Sequence, residues 1–331
     1  MRVWVAGSPA SRPQASRTVY VGMPGGGAGV ELSNHFGNRT PRHFRADTAT
    51  AMCLRFVAAR ERAEVAVAGP LDVDRVLALL VLQDPDLALG HRRTLTQAAE
   101  MGVHQSWGDL PAQELFQGLA LLLRDRRAAD PSLGAPRAIE KARALLVAAL
   151  RPELAAGIRA LRRSAALIDH GEIRRRAYGP RFAHYEVPIA LSGPAALHVP
   201  AASEPFSDAC LLWPQARARL DREKVVLLTL GARGGWLHEL WYPGYSLHDA
   251  PDSWRPPGID EDGRFLHAPL GAALLRLQAM EMGEGVWKRA DWLVPGLRGF
   301  PTAAGFCTRG NQLAASTVHP DQVAQVLAAA F

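Results

Sequence analysis

The sequence predicts an α/β protein whose N-terminal part holds a mostly parallel sheet. The apolar run at residues 65–68 ends at Gly69-Pro70 and is followed at once by a helical apolar pattern, which is the strand–turn–helix order of a parallel α/β unit. Helical patterns then fill residues 110–168, and from residue 172 short strand patterns alternate with Gly and Pro. We therefore expect an α/β domain over residues 1–168, with a helical middle at 110–168, and a second, smaller α/β domain over residues 169–331.

The N-terminal elements are expected to be short strands and one capped helix. Residues 3–6 and 18–21 are apolar enough for strands, and residues 51–58 continue a helical period that Asp47 or Thr48 can cap. The glycine-rich run at residues 23–29 lacks the Lys-Ser/Thr of a P-loop and the spacing of a dinucleotide-binding fingerprint. We therefore expect a flexible turn there rather than a phosphate loop.

The rest of the chain divides into a helical part and a part with strands. After the helix that starts behind Asp72, the apolar period predicts further helices at residues 87–101, 110–126, 136–150 and 151–168. Strands are predicted at residues 173–178, 183–189, 195–199, 225–229 and 236–241, followed by helices at residues 270–282 and 320–330.

Composition excludes several classes of protein. The chain has 331 residues, 48% of them hydrophobic, which is enough for two domain cores. Its 38 basic and 32 acidic residues give a formal charge of +6 without a focused basic stripe, so a nucleic acid partner is not expected. The three cysteines are far apart and form no CxxC, which favours free thiols in the cytoplasm. With no signal-peptide apolar region and no apolar run of the ~18 residues that a span needs, we expect no membrane insertion.

The sharpest chemical signal is the pair Asp72-x-Asp74 in the turn after the strand at residues 65–68. Two carboxylates that point at one centre favour a divalent cation such as Mn²⁺ or Mg²⁺, or a shared proton. Asp47 and His35 are the first candidates to complete such a site. The alternative is that one aspartate caps the following helix and stabilises its positive end.

A second polar segment, residues 35–41, precedes the first predicted helix. His35, Asn38 and Thr40 can coordinate or hydrogen-bond a ligand, or else satisfy backbone groups of their own loop. Arg75, beside the two aspartates, can make a charge contact with an anionic ligand or neutralise the acids. The arginines between residues 151 and 181 suggest an anion-binding surface or a solvated helix face, and the second is favoured because only three of the 38 basic residues are lysine.

These segments, in this order, resemble the motifs of an uncharacterised bacterial domain family of unknown function. Its members carry a segment like His-Trp-Pro-Gly-x-x-Thr-Pro, then an Asp-Thr helix start, and then Asp/Asn-His-Phe-Asp-x-Asp-Gly. Here they stand as His35-Phe-Gly-Asn-Arg-Thr-Pro41, as Asp47-Thr48 and as Gly69-Pro-Leu-Asp72-Val-Asp74-Arg75. The chain departs from the pattern at Pro70, which replaces a histidine, and at Arg75, which replaces a glycine.

The Asp-x-Asp turn is in addition similar to the first metal motif of DHH-type phosphoesterases and manganese pyrophosphatases. In those enzymes the aspartates hold Mn²⁺ or Mg²⁺, and a metal-bound water attacks phosphorus. The loss of the histidine removes one imidazole ligand from this chain, and the gain of Arg75 places a cation beside the acids.

The resemblance implies a hydrolase-like enzyme that acts on a small anionic substrate, a phosphoester or an amide, with a biosynthetic pathway as its expected context. The implied catalytic residues are Asp72, Asp74 and His35. The implied metal ligands are Asp72, Asp74 and Asp47. The substrate would be bound by Asn38, Arg75 and Thr40. The alternative is a divergent, metal-free tailoring enzyme, or a protein that binds a small ligand or a partner through the same pocket.

Overall fold

The computed structural model of the chain describes residues 1–6, 15–25, 29–125, 131–147, 152–289 and 302–331. These residues form two compact units. Unit 1 comprises residues 1–158 together with two later segments, residues 202–206 and 248–253. Unit 2 comprises residues 159–201, 207–247 and 254–331. Each unit is built around its own sheet, so the predicted α/β class is confirmed.

Unit 1 contains a four-stranded, fully parallel sheet with the strand order β1-β4-β2-β3. Its strands are β1 Arg2–Val5, β2 Thr18–Val21, β3 Val30–Leu32 and β4 Val65–Ala68. The strands predicted at residues 3–6, 18–21 and 65–68 are present, and β4 is fully buried. β3 escaped prediction because it has only three residues, one of them Glu31. Residues 26–28 of the glycine-rich run lie outside the described residues.

The helices of unit 1 follow the predicted apolar periods. They are α1 Ala49–Ala58, α2 Val73–Gln83, α3 Pro85–Gly90, α4 Arg92–Val103, α5 Leu110–Arg124, α6 Pro131–Val147 and α7 Ala155–Asp169, the last of which continues into unit 2. The helix predicted at residues 87–101 is in fact the pair α3 and α4. Asp84 caps α3 and Pro85 occupies its first turn, so this helix starts two residues before the predicted position. It ends at Gly90.

Unit 2 contains a six-stranded mixed sheet with the strand order β5-β6-β7-β8-β10-β9. Its strands are β5 Arg174–Ala177, β6 Phe182–Val187, β7 Val225–Ala232, β8 Gly235–Trp241, β9 Val286–Arg289 and β10 Thr302–Cys307. Among the described strands of this sheet, β6 and β7 form the one parallel pair, and the other neighbouring strands pair antiparallel. The strand predicted at residues 195–199 was wrong: this segment begins with the short helix α8, Pro194–Leu197, because Pro194 suits a first helical turn.

Three further helices complete unit 2: α9 Pro214–Asp221, α10 Ala268–Met280 and α11 Pro320–Ala328. Its main core packs one face of the central strands, including Phe182, Leu227 and Leu240, with Leu274 of α10 and Leu327 of α11. A search of the described residues found no helix with the length and apolar character to cross a membrane.

Candidate functional site

The carboxyl edge of the unit 1 sheet brings several predicted residues to one place. Because β2, β3 and β4 are parallel, the segments that follow them all start at the same edge. Gly22 follows β2, Ser33 to His35 follow β3, and Gly69 to Asp72 follow β4. This edge is where open α/β sheets bind their ligands.

Arg75, in the first turn of α2, joins two of these segments. Its Nε and Nη2 donate to the carbonyl oxygen of Gly22 at 3.1 and 2.8 Å, and its Nη1 donates to the carbonyl of Pro70 at 2.8 Å. Gly22 has a φ of +58°, and a Cβ there would lie 2.6 Å from the Arg75 Nε. A glycine is therefore required for this contact. Arg75 thus holds the β2 and β4 loops together, and several of its donors are already engaged.

Asp72 is the N-cap of α2, as one of the two predictions for this residue stated. Its Oδ1 accepts from the backbone N–H of Arg75 at 2.8 Å, and its Oδ2 accepts from the Arg75 Nη1 at 2.6 Å. The carboxylate is therefore neutralised by Arg75.

Asp74 points to a different place. Its carboxylate accepts the backbone N–H groups of Ala49 at 2.9 Å and Thr50 at 2.8 Å, at the start of α1, and the residue is only 3% exposed. Burial and the charge of nearby Asp72 raise the pKa of Asp74 to about 6, although the hydrogen bonds from Thr50 and Ala49 oppose this shift. Asp74 thus fastens α1 to α2.

Asn38 and Thr40 order the loop that carries His35. The Thr40 hydroxyl accepts from the backbone N–H of Ser33 and donates to the Ser33 carbonyl, both at 3.0 Å. Asn38 Nδ2 donates to the His35 carbonyl at 2.8 Å, and Asn38 Oδ1 accepts from the Thr40 N–H at 3.1 Å. These contacts correspond to the predicted alternative of a loop that satisfies its own backbone groups.

The imidazole of His35 lies over this edge of the sheet. Its Nε2 is 3.1 Å from the Gly22 carbonyl oxygen and 3.4 Å from the Arg75 Nη2. When Nε2 carries the proton it donates to Gly22, and Nδ1 is then the basic nitrogen. His35 is therefore held in a fixed orientation by the same carbonyl that Arg75 binds.

A remote segment of the chain, residues 248–253, completes unit 1. The backbone N–H of Asp249 donates to the Asn34 carbonyl at 2.8 Å, and Asn38 Nδ2 donates to the Asp249 carboxylate at 3.0 Å. Asp47 accepts from the backbone N–H of Asp252 at 2.7 Å and from the Ser253 hydroxyl at 2.5 Å. Asp47 is therefore an anchor for this segment.

The anchored segment places His248 beside two other histidines. Its ring centroid lies 6.2 Å from that of His35 and 5.5 Å from that of His104, which directly follows α4. The Nδ1 of His248 is shielded from solvent and makes no hydrogen bond. Burial, together with His35 and Arg75, lowers the pKa of His248 to about 3. His248 is therefore neutral at physiological pH.

Sequence reasoning found His35 but not His104 or His248. The three residues stand in separate parts of the chain, and no spacing rule connects them. The local signal at His248 is weak: it follows an aromatic stretch at residues 240–245, a pattern that is more typical of core and turn than of a site.

The residues implied as metal ligands do not converge. The carboxylates of Asp74 and Asp47 accept hydrogen bonds from backbone N–H groups, and that of Asp47 also accepts one from a hydroxyl. The carboxylate of Asp72 forms an ion pair with Arg75. Within the described part of the chain, no group of three or more His, Cys, Asp or Glu side chains has the geometry to hold a metal ion. These residues do not fit the two-metal arrangement that the DHH-type resemblance implies.

Five of the arginines between residues 151 and 181 form ion pairs inside unit 2. Arg175 pairs with Asp221 at 2.6 Å and Arg181 with Glu223 at 2.8 Å. Three more pairs in this region join Arg163 to Asp208, Arg174 to Glu186 and Arg176 to Asp321. Arg151 lies outside the described residues. This pairing reduces the positive charge that a nucleic acid would meet.

Comparison with known proteins gave one informative result. The sequence profile of a family of unknown function, DUF6687, matches residues 8–177, which is just over half of the chain. The match includes the loop of His35, the Asp72–Arg75 turn and His104, whereas His248 lies beyond it. Searches of curated proteins and of solved structures returned no match. On the extent of the profile match, the chain belongs to the DUF6687 family.

Proposed function

We propose that unit 1 is a metal-independent, hydrolase-like enzyme domain that acts on a small anionic substrate by histidine acid–base chemistry. The observation that carries this proposal is the meeting of His35, His104 and His248 at the edge of a parallel sheet. Histidine is the side chain best suited to move protons near neutral pH. Burying an imidazole is costly, so packing alone does not explain why three histidines from distant parts of the chain lie together.

The arrangement suits hydrolysis of a small substrate. One neutral imidazole takes a proton from a water molecule as that water attacks, and a second, protonated imidazole returns a proton to the leaving group. The Nδ1 of His248 has no protein partner and is the first candidate to accept a proton or a hydrogen bond. Arg75 and Asp72 orient the site rather than bind the substrate, because they engage each other and nearby carbonyls.

An anionic substrate is favoured by the charge of this site. A protonated imidazole is a cation, and a partly buried cation is stabilised when an anion binds beside it. Burial lowers the pKa of His248, and an anion bound beside it acts in the opposite direction. The three cysteines are buried free thiols, which suits the cytoplasm as the compartment of this reaction.

The proposal is tested by calorimetric titration of the full-length chain with inorganic phosphate in the presence of EDTA. We expect phosphate to bind the wild-type protein and to bind His248→Gln at least tenfold more weakly. His43→Gln is the matched control, because His43 is an exposed histidine of the same unit. Circular dichroism establishes that all three proteins are folded.

Two outcomes would refute this function. Phosphate binding that requires Mn²⁺ or Mg²⁺ and is lost in Asp72→Asn would replace it with a metal-dependent hydrolase. Wild-type protein that binds no phosphate, or a His248→Gln variant with unchanged affinity, would remove the histidine site as the centre of the chemistry.

A further inference from the structure

Unit 2 contains a buried arginine that the proposed function does not use. Arg217, on α9, is only 4% exposed. Its guanidinium carbon lies 4.2 Å from the ring centroid of Trp241, at the end of β8. Burial lowers the pKa of Arg217 to about 10, while the charges of Asp221 and Glu239 act in the opposite direction. A guanidinium with this pKa is still charged at neutral pH, so unit 2 encloses a cation.

Asp221, the acidic residue at the end of α9, already accepts hydrogen bonds from other side chains. Asp221 accepts from Nε and Nη2 of Arg175 at 2.7 and 2.6 Å and from the Tyr185 hydroxyl at 2.5 Å. The Nζ of Lys224 lies 2.9 Å from Oδ1 of Asp221, the oxygen that also accepts from Nη2 of Arg175. With four donors on two oxygens, Asp221 has little capacity left to accept from Arg217.

The charged groups around Arg217 differ in their exposure to solvent. Arg175, Lys224 and Arg217 are cations, and Asp221 and Glu239 are the acids that face them. Glu239 is fully buried on β8. Arg175 and Lys224 reach solvent, with 27% and 18% of their side chains exposed, whereas Arg217 is enclosed. Solvent therefore compensates Arg175 and Lys224 but not Arg217, and a buried charge whose hydrogen-bonding groups lack partners is costly.

The geometry of Arg217 also leaves a donor open. The indole of Trp241 covers a face of the guanidinium, and stacking of this kind leaves the in-plane N–H edge free to donate. The Nε of Arg217 is buried and has no hydrogen-bond acceptor. Nε–H is one half of the Nε/Nη fork that binds a carboxylate through two parallel hydrogen bonds.

We propose that unit 2 binds the carboxylate group of a small organic acid at Arg217. A carboxylate supplies a planar pair of acceptors, which match the free edge of the guanidinium. A phosphate dianion would bring a second negative charge close to Glu239, which is disfavoured. This site is independent of the histidine site in unit 1.

The test is calorimetric titration of the full-length chain with acetate, lactate and succinate, and in parallel with inorganic phosphate. We expect at least one of these carboxylates to bind the wild-type protein and to raise its melting temperature. Arg217→Gln should weaken that binding at least tenfold. Arg219→Gln is the matched control, because Arg219 lies on the same helix but pairs with Asp169 near the surface, and it should bind as the wild type does.

A second variant keeps the test decisive if Arg217→Gln does not fold. Arg217→Lys retains the charge but lacks the planar fork, so it should fold and still lose at least tenfold in affinity. The proposal is overturned if none of the three carboxylates binds the wild-type protein, or if their binding is unchanged in the folded Arg217 variants. It is equally overturned if phosphate is the anion whose binding depends on Arg217.

Discussion

Asp72 and Asp74 stand two residues apart but have different functions in the fold. Side chains at i and i+2 of a helix start do not face each other. Asp72 therefore closes its own turn through the Arg75 N–H, whereas Asp74 reaches the first N–H groups of α1. Carboxylate pairs of this kind share a metal only when the turn is wide enough to point both inward, and here the helix begins directly at Val73.

This difference predicts unequal losses of stability. Asp74→Ala leaves two buried N–H groups of α1 without acceptors and should lower the free energy of unfolding by about 2–3 kcal/mol. Asp72→Ala removes one cap and a partly exposed ion pair and should cost about 1 kcal/mol. Urea denaturation of both variants measures the two values. Equal losses, or a larger loss for Asp72→Ala, would contradict the assignment of Asp74 to the α1–α2 contact.

At the scale of elements, strands β6, β7 and β8 of unit 2 are connected by hydrogen bonds between three buried polar side chains. The Thr229 hydroxyl on β7 lies 3.0 Å from Nε2 of His184 on β6 and 2.9 Å from Nδ1 of His238 on β8. Burial lowers the pKa of His184 to about 4 and that of His238 to about 3. Both imidazoles are therefore neutral in the folded state.

The neutral histidines predict a loss of stability in mild acid. Their folded pKa values lie below the ordinary value of about 6.5, so the unfolded state binds more protons between about pH 6.5 and pH 4. The stabilisation is complete above about pH 6.5 and declines as the pH falls through this window. Urea midpoints at about pH 7.5 and about pH 5 should differ less in His238→Asn than in the wild type. His170→Asn, an exposed histidine of unit 2, is the control and should behave as the wild type; an unchanged pH response in His238→Asn would count against the prediction.

At the scale of the whole molecule, unit 1 depends on parts of the chain far from its sheet. Residues 202–206 and 248–253 belong to it although most of the neighbouring sequence forms unit 2. Gln117 on α5 bonds both the N–H and the carbonyl of Phe206, and Asp47 binds Asp252 and Ser253. The histidine site is therefore built from residues spread over positions 35–248 of the chain.

The anchoring of residues 248–253 predicts an effect at a distance. Asp47→Ala should lower the hydrogen-exchange protection of the Asp252 amide and weaken phosphate binding several-fold, because His248 loses its fixed position. Arg55→Ala, which removes an exposed ion pair to the same Asp252, should have a much smaller effect. Hydrogen exchange followed by mass spectrometry, together with calorimetry, provides both readouts. If the two variants behaved alike, Asp47 would not be the anchor.

Several features of this protein followed from the sequence because they depend on neighbouring residues. The β4 strand, the start of α2 after Asp72, the Thr48 cap of α1 and the closeness of Arg75 to Asp72 are all decided within a few residues. Strands β9 and β10 were not predicted. β10 reads Thr-Ala-Ala-Gly-Phe-Cys and is buried throughout, so it lacks the alternation that marks a strand and has Thr302 as its single β-branched residue.

The tertiary structure alone decided which side chains meet. Asp74 acts on a helix that begins 25 residues before it, and His248 reaches His35 across more than 200 residues of chain. Such contacts depend on how parallel strands align their ends and on which distant loop covers that edge. Neither is recorded in the local pattern of residues, because burial and hydrogen bonding between remote segments are properties of the packed chain.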